Sequence, residues 1–385
     1  MKIAILTTDN REHHRKYNLP VPYFGTAPEA LLQGFAQLPE AEVHVVACTQ
    51  RPFVSSPEKL ADNIFYHSLL VPKIGWLRTG YQGCIRAVRK KLKKIQPDIV
   101  HGQGTERDCA MAAIFSGFPN VVTIHGNMAE LARLFPTRMG SYGWLAARLE
   151  NFALRRTAGV FCNSAYTEGL VRPRARKTWR VPNALREDFF EMLPDAFVAS
   201  RKCVLLNVGV IYELKRQLEI LDVAKKLRRR NLKFELHFIG RLKPSDPYAA
   251  EFLKQIKSLE PEGWARHSGE MPVNELIRHL DSAAGLIHFS SAEAFGLVVA
   301  ESLARGLKFF GARLGGITDI AADADGAELF GAGDWAGLEK AIAGWIKNGN
   351  PIAPAAAGQM REKYHPQIIA RRHLEIYREV LSAHL

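Results

Sequence analysis

The 385-residue sequence contains no long apolar run and few cysteines. No segment approaches the roughly 18 consecutive apolar residues that a membrane-spanning helix needs. The five cysteines are odd in number and scattered without a C-x-x-C pair, which argues against a disulfide framework or a zinc knuckle. The short apolar run at the start meets Asp9 early, so we expect no signal peptide. These features predict a cytoplasmic protein in a reducing compartment.

Several catalytic and nucleotide-binding motifs are also absent. There is no G-x-S-x-G, no G-K-[ST] and no H-E-x-x-H, so hydrolase, P-loop and zincin interpretations lack support. The segment "HGQGTER" has G-x-G after a predicted strand, but Arg107 stands where a dinucleotide fingerprint has its third glycine. A dinucleotide-binding fold is therefore not expected.

The net charge of +13 is distributed unevenly. Residues 1–190 carry 26 Lys and Arg against 15 Asp and Glu, whereas residues 191–385 carry 26 against 24. A positive field in the N-terminal half attracts nucleic acid, anionic lipid or phosphorylated substrates. A non-enzymatic protein that binds polyanions is therefore one open alternative.

Short apolar runs alternate with helix-period segments along the whole chain. One series of predicted strands runs from "KIAILTT" to "GVFCNS" and a second from "CVLLNVG" to "KFFGA". This alternation predicts two doubly wound α/β domains with parallel sheets. The irregular segment Val181–Lys202 separates the series and is the predicted linker. The last segment, "PQIIARRHLEIYREVLSAHL", predicts a long terminal helix.

The segment "AEAFGLVVAES" places Glu293 and Glu301 eight residues apart. Glu293 follows the predicted buried strand "GLIHFSS", and "FGLVVAESLARG" predicts a helix that starts near Phe295 and is capped by Gly306. Ligands bind outside the carboxyl ends of such strands, where a helix N-terminus attracts phosphate. Glu301 would lie about 7–8 Å further along the helix, roughly the distance from a phosphate to the ribose of one nucleotide. The alternative is that both glutamates are simply solvated.

The wider segment "SSAEAFGLVVAESLARGLKFFGARLGGITDI" resembles the donor-binding signature of the family 4 (group 1) glycosyltransferases. The shared positions are the two glutamates eight residues apart, Phe-Gly-Leu after the first, and a later Gly-Gly-x-x-Asp-Ile. In this sequence they are Glu293, Phe295, Gly296, Leu297, Glu301, Gly315, Gly316, Asp319 and Ile320. The nearby "DADG" contains D-x-D, which metal-dependent GT-A transferases use, but we interpret it as a surface turn.

Further segments resemble the family in the expected order. "LLNVGVIYELKRQLEIL" resembles the start of its second domain, with Gly209 and Lys215 at matching positions. The family's diphosphate-binding Arg is replaced by Val210, for which Arg216 or Arg241 are possible substitutes. "VVTIHGN" carries His125 in the family's His-Gly dipeptide, "VPNALREDFF" has Asn-Ala for Asn-Gly, and Gly25 stands alone where relatives have a glycine-rich loop.

The resemblance implies a GT-B fold, in which two Rossmann-like domains face each other across a cleft and the terminal helix crosses back to the first domain. The implied domains are residues 1–185 with about 368–385 on the acceptor side, and 200–367 on the donor side. It also implies a retaining, metal-independent transferase that needs no cofactor and uses a nucleotide sugar such as a UDP- or GDP-sugar as co-substrate.

The resemblance also implies the site residues. His125 and Glu293 would be catalytic. Glu293 would hold donor-sugar hydroxyls, and His125 would face it across the interdomain cleft and contact a sugar hydroxyl or a phosphate. The remaining positions would bind the donor, and they are Gly25, Gly209, Lys215, Arg241, Phe295, Gly296, Leu297 and Glu301. An epimerase or donor hydrolase on the same scaffold is a further open alternative.

The segment "CIRAVRKKLKKIQ" has apolar and basic residues at helical spacing. One interpretation is a helix that docks its apolar stripe on the sheet and turns its charges to solvent. The other is peripheral contact with anionic membrane at the inner face, with Trp76 and Tyr81 at the interface. The implied acceptor, a glycan or a lipid-linked glycan, is compatible with either, and nucleic acid is not an expected partner.

Overall fold

The computed structural model describes residues 1–135, 137–191 and 202–383. The chain divides into two compact units. The first unit comprises Met1–Arg186 and Tyr364–Leu385, and the second comprises Glu187–Lys363. The predicted linker Val181–Lys202 spans the unit boundary, and its residues 192–201 lie outside the described residues.

The first unit is built on an eight-stranded sheet with the order β3-β4-β2-β1-β5-β6-β7-β8 among the described strands. All neighbouring pairs are parallel except β3 and β4, which are antiparallel. The central strands are almost entirely buried, as expected for a parallel sheet covered by helices on both faces. The strands are β1 Lys2–Leu6, β2 Glu42–Thr49, β3 Lys59–Ala61, β4 Ile64–Leu70, β5 Ile99–Gln103, β6 Asn120–Ile124, β7 Val160–Cys162 and β8 Thr178–Arg180.

Helices cover both faces of this sheet. The terminal helix packs against α2, where Tyr377 stacks on Phe35 at a ring distance of 6.4 Å, and it belongs to the first unit. The helices are α1 Asn10–His13, α2 Thr26–Ala36, α3 Gln82–Ile95, α4 Cys109–Ile114, α5 Met128–Leu134, α6 Tyr142–Leu154, α7 Ala165–Val171 and the terminal helix α15 Pro366–Ser382.

The second unit is built on a six-stranded parallel sheet with the order β11-β10-β9-β12-β13-β14. This is the strand order 3-2-1-4-5-6 of dinucleotide-binding folds. The first and fourth strands are neighbours, and successive strands are added on opposite sides of that pair. The strands are β9 Val204–Val208, β10 Glu235–Ile239, β11 Ala265–His267, β12 Gly285–His288, β13 Lys308–Ala312 and β14 Ala327–Phe330. The helices are α8 Gln217–Arg229, α9 Pro247–Leu259, α10 Val273–Ser282, α11 Leu297–Ala304, α12 Gly315–Ala321, α13 Trp335–Lys347 and α14 Ala355–Tyr364.

The apolar runs in the sequence all form strands, but four short strands were not predicted. They are β3, β8, β11 and β14, each only three or four residues long. All four occupy sheet edges, where fewer apolar side chains are needed for burial. Helix α11 begins at Leu297, slightly later than expected, because Gly296 is its N-cap. The "DADG" segment forms a turn, as predicted.

Helix α3 confirms the expected amphipathic packing. Its apolar residues, including Val88 and Leu92, are buried against the sheet, while its basic residues are exposed; the exposed ones are Arg86, Arg89, Lys90, Lys93 and Lys94. The prediction that Trp76 and Tyr81 form an interfacial pair is wrong. Both side chains are buried in the core beside α3, at 7% and 4% exposure. None of the described helices combines the length and the apolar character needed to cross a membrane.

Candidate functional site

Several of the predicted donor-binding residues lie at the strand-order reversal of the second unit. Gly209 directly follows β9, and Lys215 lies in the short turn after it. Glu293 follows β12, the neighbour of β9 on the other side of the reversal. The two loops are joined by backbone, because Ser291 N donates to Leu214 O over 2.8 Å. This crevice is the place where open α/β sheets bind ligands.

Lys215 and Glu293 form an ion pair at the centre of this crevice. His288 Nε2 also lies 3.0 Å from Glu293 Oε2, and Ser290 Oγ lies 2.9 Å from the same nitrogen. Burial raises the pKa of Glu293, but the His288 hydrogen bond and the Lys215 charge outweigh it and lower the pKa to about 2. The carboxylate is therefore ionised at any physiological pH and is held in one position by two partners.

The backbone beside Glu293 is shaped by two glycines. Gly296 caps α11 with φ of +96°, a conformation that other residues rarely adopt. A Cβ added at Gly315 would lie 1.9 Å from the Glu293 carbonyl oxygen, so no larger residue fits there. The first amides of α11 have no carbonyl partner within the helix, and they give its N-terminus partial positive charge. The signature glycines thus bring this helix terminus next to the ion pair.

The remaining signature residues occupy the same loop and helix. Phe295 is buried at 3% exposure and Leu297 is the first residue of α11. Glu301 lies on the same helix and is buried at 5% exposure, so it does not face water. That burial disfavours the interpretation of Glu301 as a solvated residue of an amphipathic helix.

Val210, which replaces the family's arginine, is 38% exposed at the edge of the crevice. Arg216 is not well placed to substitute, because its Nη1 donates to Ala332 O over 2.6 Å. Arg241 lies beside this position, since Ile211 N donates to Arg241 O over 3.0 Å. The Arg241 side chain is exposed, and no hydrogen bond or ion pair of its guanidinium occurs among the described residues.

His125 follows β6 in the first unit and takes part in a buried polar chain. Its Nε2 donates to Gln103 Oε1 over 2.9 Å, because an amide oxygen can only accept. The Gln103 amide nitrogen lies 3.3 Å from His101, whose Nδ1 contacts the Tyr377 hydroxyl at 2.5 Å. Burial lowers the pKa of His125 to about 4, so the ring is neutral at pH 7 and Nδ1 keeps its lone pair.

Gly25 caps helix α2, whose first turn lies close to His125. Ala27 and His125 line the same small cavity together with Asn183 and Ala184 of the family-like "VPNA" segment. A Cβ added at Gly25 would only touch Pro28 at 3.7 Å, so packing within the protein does not require glycine there. The expected role of Gly25 in donor binding stays a prediction, as does the approach of His125 to Glu293 across the cleft.

A separate pocket of about 470 Å³ lies at the carboxyl edge of the first sheet. Its walls come from the segments after β1, β2, β4 and β5 and from the start of α6. Because β1 and β5 flank the strand-order reversal of the first unit, the pocket lies at that reversal. The Arg107 guanidinium lies 5.1 Å from the Trp76 ring centre, on the pocket wall. The lining combines cationic, aromatic and acidic side chains, including Arg15, Arg107, Trp76, Tyr81, Tyr142 and Glu12.

Two residues of these sites, His288 and Gln103, were not identified as site residues from the sequence. His288 is the last residue of β12, and Gln103 is the last residue of β5. The sequence predicted His288 within the buried strand "GLIHFSS", whereas Gln103 lies directly after the predicted strand "DIVHG" and was assigned no role. Their position at the carboxyl end of a strand was the available signal, because side chains there reach the ligand crevice.

Two α/β units with mostly parallel sheets are typical of GT-B glycosyltransferases, and comparisons with family models identify the family. The model of the "Glycosyl transferases group 1" family matches residues 190–364, and that of "Glycosyltransferase Family 4" matches residues 29–188. The two matches together span most of both units. The chain belongs to the family 4 (group 1) glycosyltransferases of the GT-B fold. No curated protein sequence matches the chain.

Solved structures of low identity share this fold. Sucrose-phosphate synthase from Thermosynechococcus elongatus is 17% identical, with complete coverage of both chains and a TM-score of 0.75. Anabaena HepE, solved in complex with UDP-glucose, is 16% identical with complete coverage and a TM-score of 0.70. The lipopolysaccharide outer core galactosyltransferase WaaB is 14% identical over 98% of this chain and 100% of its own, with a TM-score of 0.68.

Proposed function

We propose that this glycosyltransferase moves a sugar, with retention of configuration, from a nucleotide-diphosphate sugar to an acceptor hydroxyl. The observation that carries the proposal is the Lys215–Glu293 ion pair, which lies at the strand-order reversal of the second unit beside the N-terminus of α11. A cation and a helix terminus suit a diphosphate, and a fixed carboxylate suits sugar hydroxyls.

Each donor group has a proposed partner. Lys215 and the first amides of α11 bind the diphosphate, with Arg241 supplying the charge that Val210 lacks. Glu293 accepts hydrogen bonds from the sugar, and Glu301 from the ribose. HepE has this fold and was solved with UDP-glucose, which favours a UDP-hexose as the donor.

The proposed reaction needs no metal ion or cofactor. The bond between the sugar and the diphosphate breaks, and a bond from the sugar to the acceptor oxygen forms on the same face. The acceptor proton passes to the leaving phosphate, whose growing charge Lys215 and α11 stabilise. Neutral His125 accepts a hydrogen bond from a sugar hydroxyl at Nδ1, because Gln103 holds its Nε2 proton.

The acceptor is proposed to bind in the pocket of the first unit. Tyr142, which is 53% exposed, offers aromatic surface for a sugar ring, and Arg15 and Arg107 offer cations. Glu12 is held by Tyr17 and Thr49 through Oε2, at 2.8 and 3.1 Å. Because Arg15 and Arg107 bring positive charge to this pocket, we expect a glycan acceptor, free or lipid-linked, that carries a negative group.

A peripheral contact with anionic membrane is a further proposal, supported by the exposed basic face of α3. Ile74, close to that helix in sequence, is 80% exposed and offers an apolar contact. We place the protein in the cytoplasm at the inner membrane face. Sedimentation with anionic liposomes over a salt series tests this, and no binding at low salt would reject it.

The donor proposal is tested by a thermal-shift screen of UDP-, GDP- and ADP-sugars. One donor class should raise the Tm of the wild type and not that of Glu293→Ala. Glu328→Ala is the matched control, because Glu328 forms another Lys–Glu pair in the same unit, with Lys308. A donor that stabilises both variants equally would contradict the assignment. Product analysis with and without acceptor then separates transfer from hydrolysis or epimerisation.

A further inference from the structure

Three potential metal ligands converge in the core of the first unit, remote in sequence from one another. Cys48 lies in β2, Cys84 in the first turn of α3, and Asp108 directly before α4. One ligand atom from each residue lies within 4.8 Å of the others. All three are buried, at 6%, 0% and 6% exposure. None of them belongs to the proposed donor site in the second unit.

The Asp108 carboxylate accepts hydrogen bonds from the thiols of Cys48 and Cys84 rather than from the helix that it precedes. It occupies the N-cap position of α4, yet it makes no capping hydrogen bond to that helix. A side chain at this position usually accepts from the helix amides. Instead it lies against two thiols, which are weak hydrogen-bond donors. Burying a carboxylate beside weak donors is unfavourable, and a bound cation would offset that cost.

The ligand types select a particular kind of metal. Thiolates prefer Zn²⁺ and similar soft or borderline cations, and Zn²⁺ also accepts a carboxylate oxygen. Zinc–ligand bonds of about 2.0–2.3 Å place tetrahedral ligand atoms about 3.3–3.8 Å apart. A cluster with spacings up to 4.8 Å reaches this geometry with side-chain shifts of about 1 Å or less.

We propose that Cys48, Cys84 and Asp108 form a zinc site in the core of the first unit. Binding of the dication releases the two thiol protons to solvent. Because two positive charges replace two protons, the net charge of the cluster beside Arg107 is unchanged. Water or another small ligand completes the fourth position.

The site would join three elements below the acceptor pocket. Tyr81, the N-cap of α3, lines that pocket and does not cap the helix with its side chain. Arg107, adjacent to Asp108, lines the same pocket. A metal that fixes the first turn of α3 to the start of α4 therefore also fixes these two pocket residues. We assign it a structural role, separate from the transfer reaction.

The test is a titration of the full-length, reduced, chelator-treated protein with Co²⁺ and with Zn²⁺. We expect thiolate-to-cobalt charge-transfer absorption that saturates at one equivalent, and a rise in Tm of about 5 °C with zinc. Cys84→Ser and Asp108→Asn should lose the absorption or weaken binding at least tenfold. The matched control is Cys162→Ser, another buried thiol of the first unit, in a separate apolar cluster. This variant should bind like the wild type.

A second measurement uses only the wild type, in case the variants fail to fold. Zinc should protect Cys48 and Cys84 from alkylation in partially denaturing conditions, as mapped by mass spectrometry. Cys203, which is partly exposed, should be labelled at the same rate with and without the metal. The absence of charge-transfer absorption, equal labelling of all cysteines, or a Cys48–Cys84 disulfide in the reduced preparation would each overturn the proposal.

Discussion

The candidate sites of the two units differ in the charge state of their central side chains, which is ionised in the second unit and neutral in the first. In the second unit, Glu293 is ionised and paired with Lys215, and its pKa is lowered to about 2. In the first unit, His125 is neutral, with its pKa lowered to about 4 by burial alone. The nearby His101 and His373 also have pKa values lowered by burial, so this region carries hydrogen-bonding groups without charge.

The difference matches the two halves of a glycosyl donor. A diphosphate is a dianion and becomes more negative as it leaves, so fixed charges and a helix terminus stabilise it. A sugar presents only hydroxyls, for which neutral and oriented acceptors suffice. This contrast supports the proposal that the second unit binds the leaving group and the first unit a sugar hydroxyl. Substitutions in the charged site of the second unit and in the neutral site of the first unit test this difference separately.

The largest effect is expected from Glu293→Gln. The change keeps the shape but removes the charge that orients Lys215, and we expect the transfer rate to fall about 10³-fold. Rates with the donor identified by thermal shift provide the measurement. Glu328→Gln should retain the wild-type rate. A loss below tenfold for Glu293→Gln would refute a central role of the carboxylate.

The counterpart in the first unit is His125→Ala. Because His125 is proposed to contact only the sugar, we expect the transfer rate to fall about 10²-fold while the affinity for free UDP stays unchanged. Gln103→Ala, which frees the His125 ring, should reproduce part of the loss in kcat. A UDP affinity that falls in His125→Ala would mean that the first unit also binds the diphosphate.

The pH dependence of stability should separate the two units. His125 has a folded pKa of about 4 and an unfolded value near 6.5, so the unfolded chain binds more protons between these values. Stability is therefore lost as pH falls from about 6.5 toward 4, by about 2 kcal/mol for this residue at pH 5. Denaturant unfolding of His125→Gln should show a correspondingly flatter profile from pH 7 to 5.

The exposed His14 is the control, and His14→Gln should leave that profile unchanged. Glu293 behaves differently, because its folded pKa is lowered from the ordinary value of 4.5 to about 2. Its contribution is present above about pH 4.5 and is lost only as pH falls toward 2. If the stability profiles of Glu293→Gln and the wild type coincided between pH 4.5 and 2, the assigned ionisation of Glu293 would be wrong.

The smallest effect concerns the missing arginine. Val210→Arg restores the family's cation at an exposed position and should tighten UDP binding about tenfold. Arg241→Ala should weaken binding by a similar factor in the wild type and by less in the Val210→Arg background. Calorimetric titration of the four proteins measures this coupling. Additive effects would show that Arg241 does not replace the missing charge.

The second unit was predicted more fully than the first, for a physical reason. The donor signature is local, since one loop and one helix hold Glu293, Gly296 and Glu301, so sequence spacing sets their geometry. The ion pair with Lys215 was not predicted, because it joins residues 78 positions apart. Partners of this kind depend on strand order, which the sequence pattern does not specify.

In the first unit, the contacts depend on packing between distant elements. The chain from His125 through Gln103 to Tyr377 ends on the terminal helix, 276 residues from His101. Trp76 and Tyr81 were placed at a membrane interface in one interpretation of the sequence, but both pack in the core with apolar residues of α3. The cysteines were scattered in sequence, yet the fold brings Cys48 and Cys84 together. Tertiary packing alone determines such neighbours.

The most direct test is calorimetric titration of UDP into Lys215→Ala and Lys308→Ala, beside the wild type. Both lysines pair with a glutamate in the second unit, but only Lys215 lies at the strand-order reversal. We predict that UDP affinity falls about 100-fold in Lys215→Ala and is unchanged in Lys308→Ala. Equal affinities in the two variants would contradict the placement of the diphosphate in this crevice.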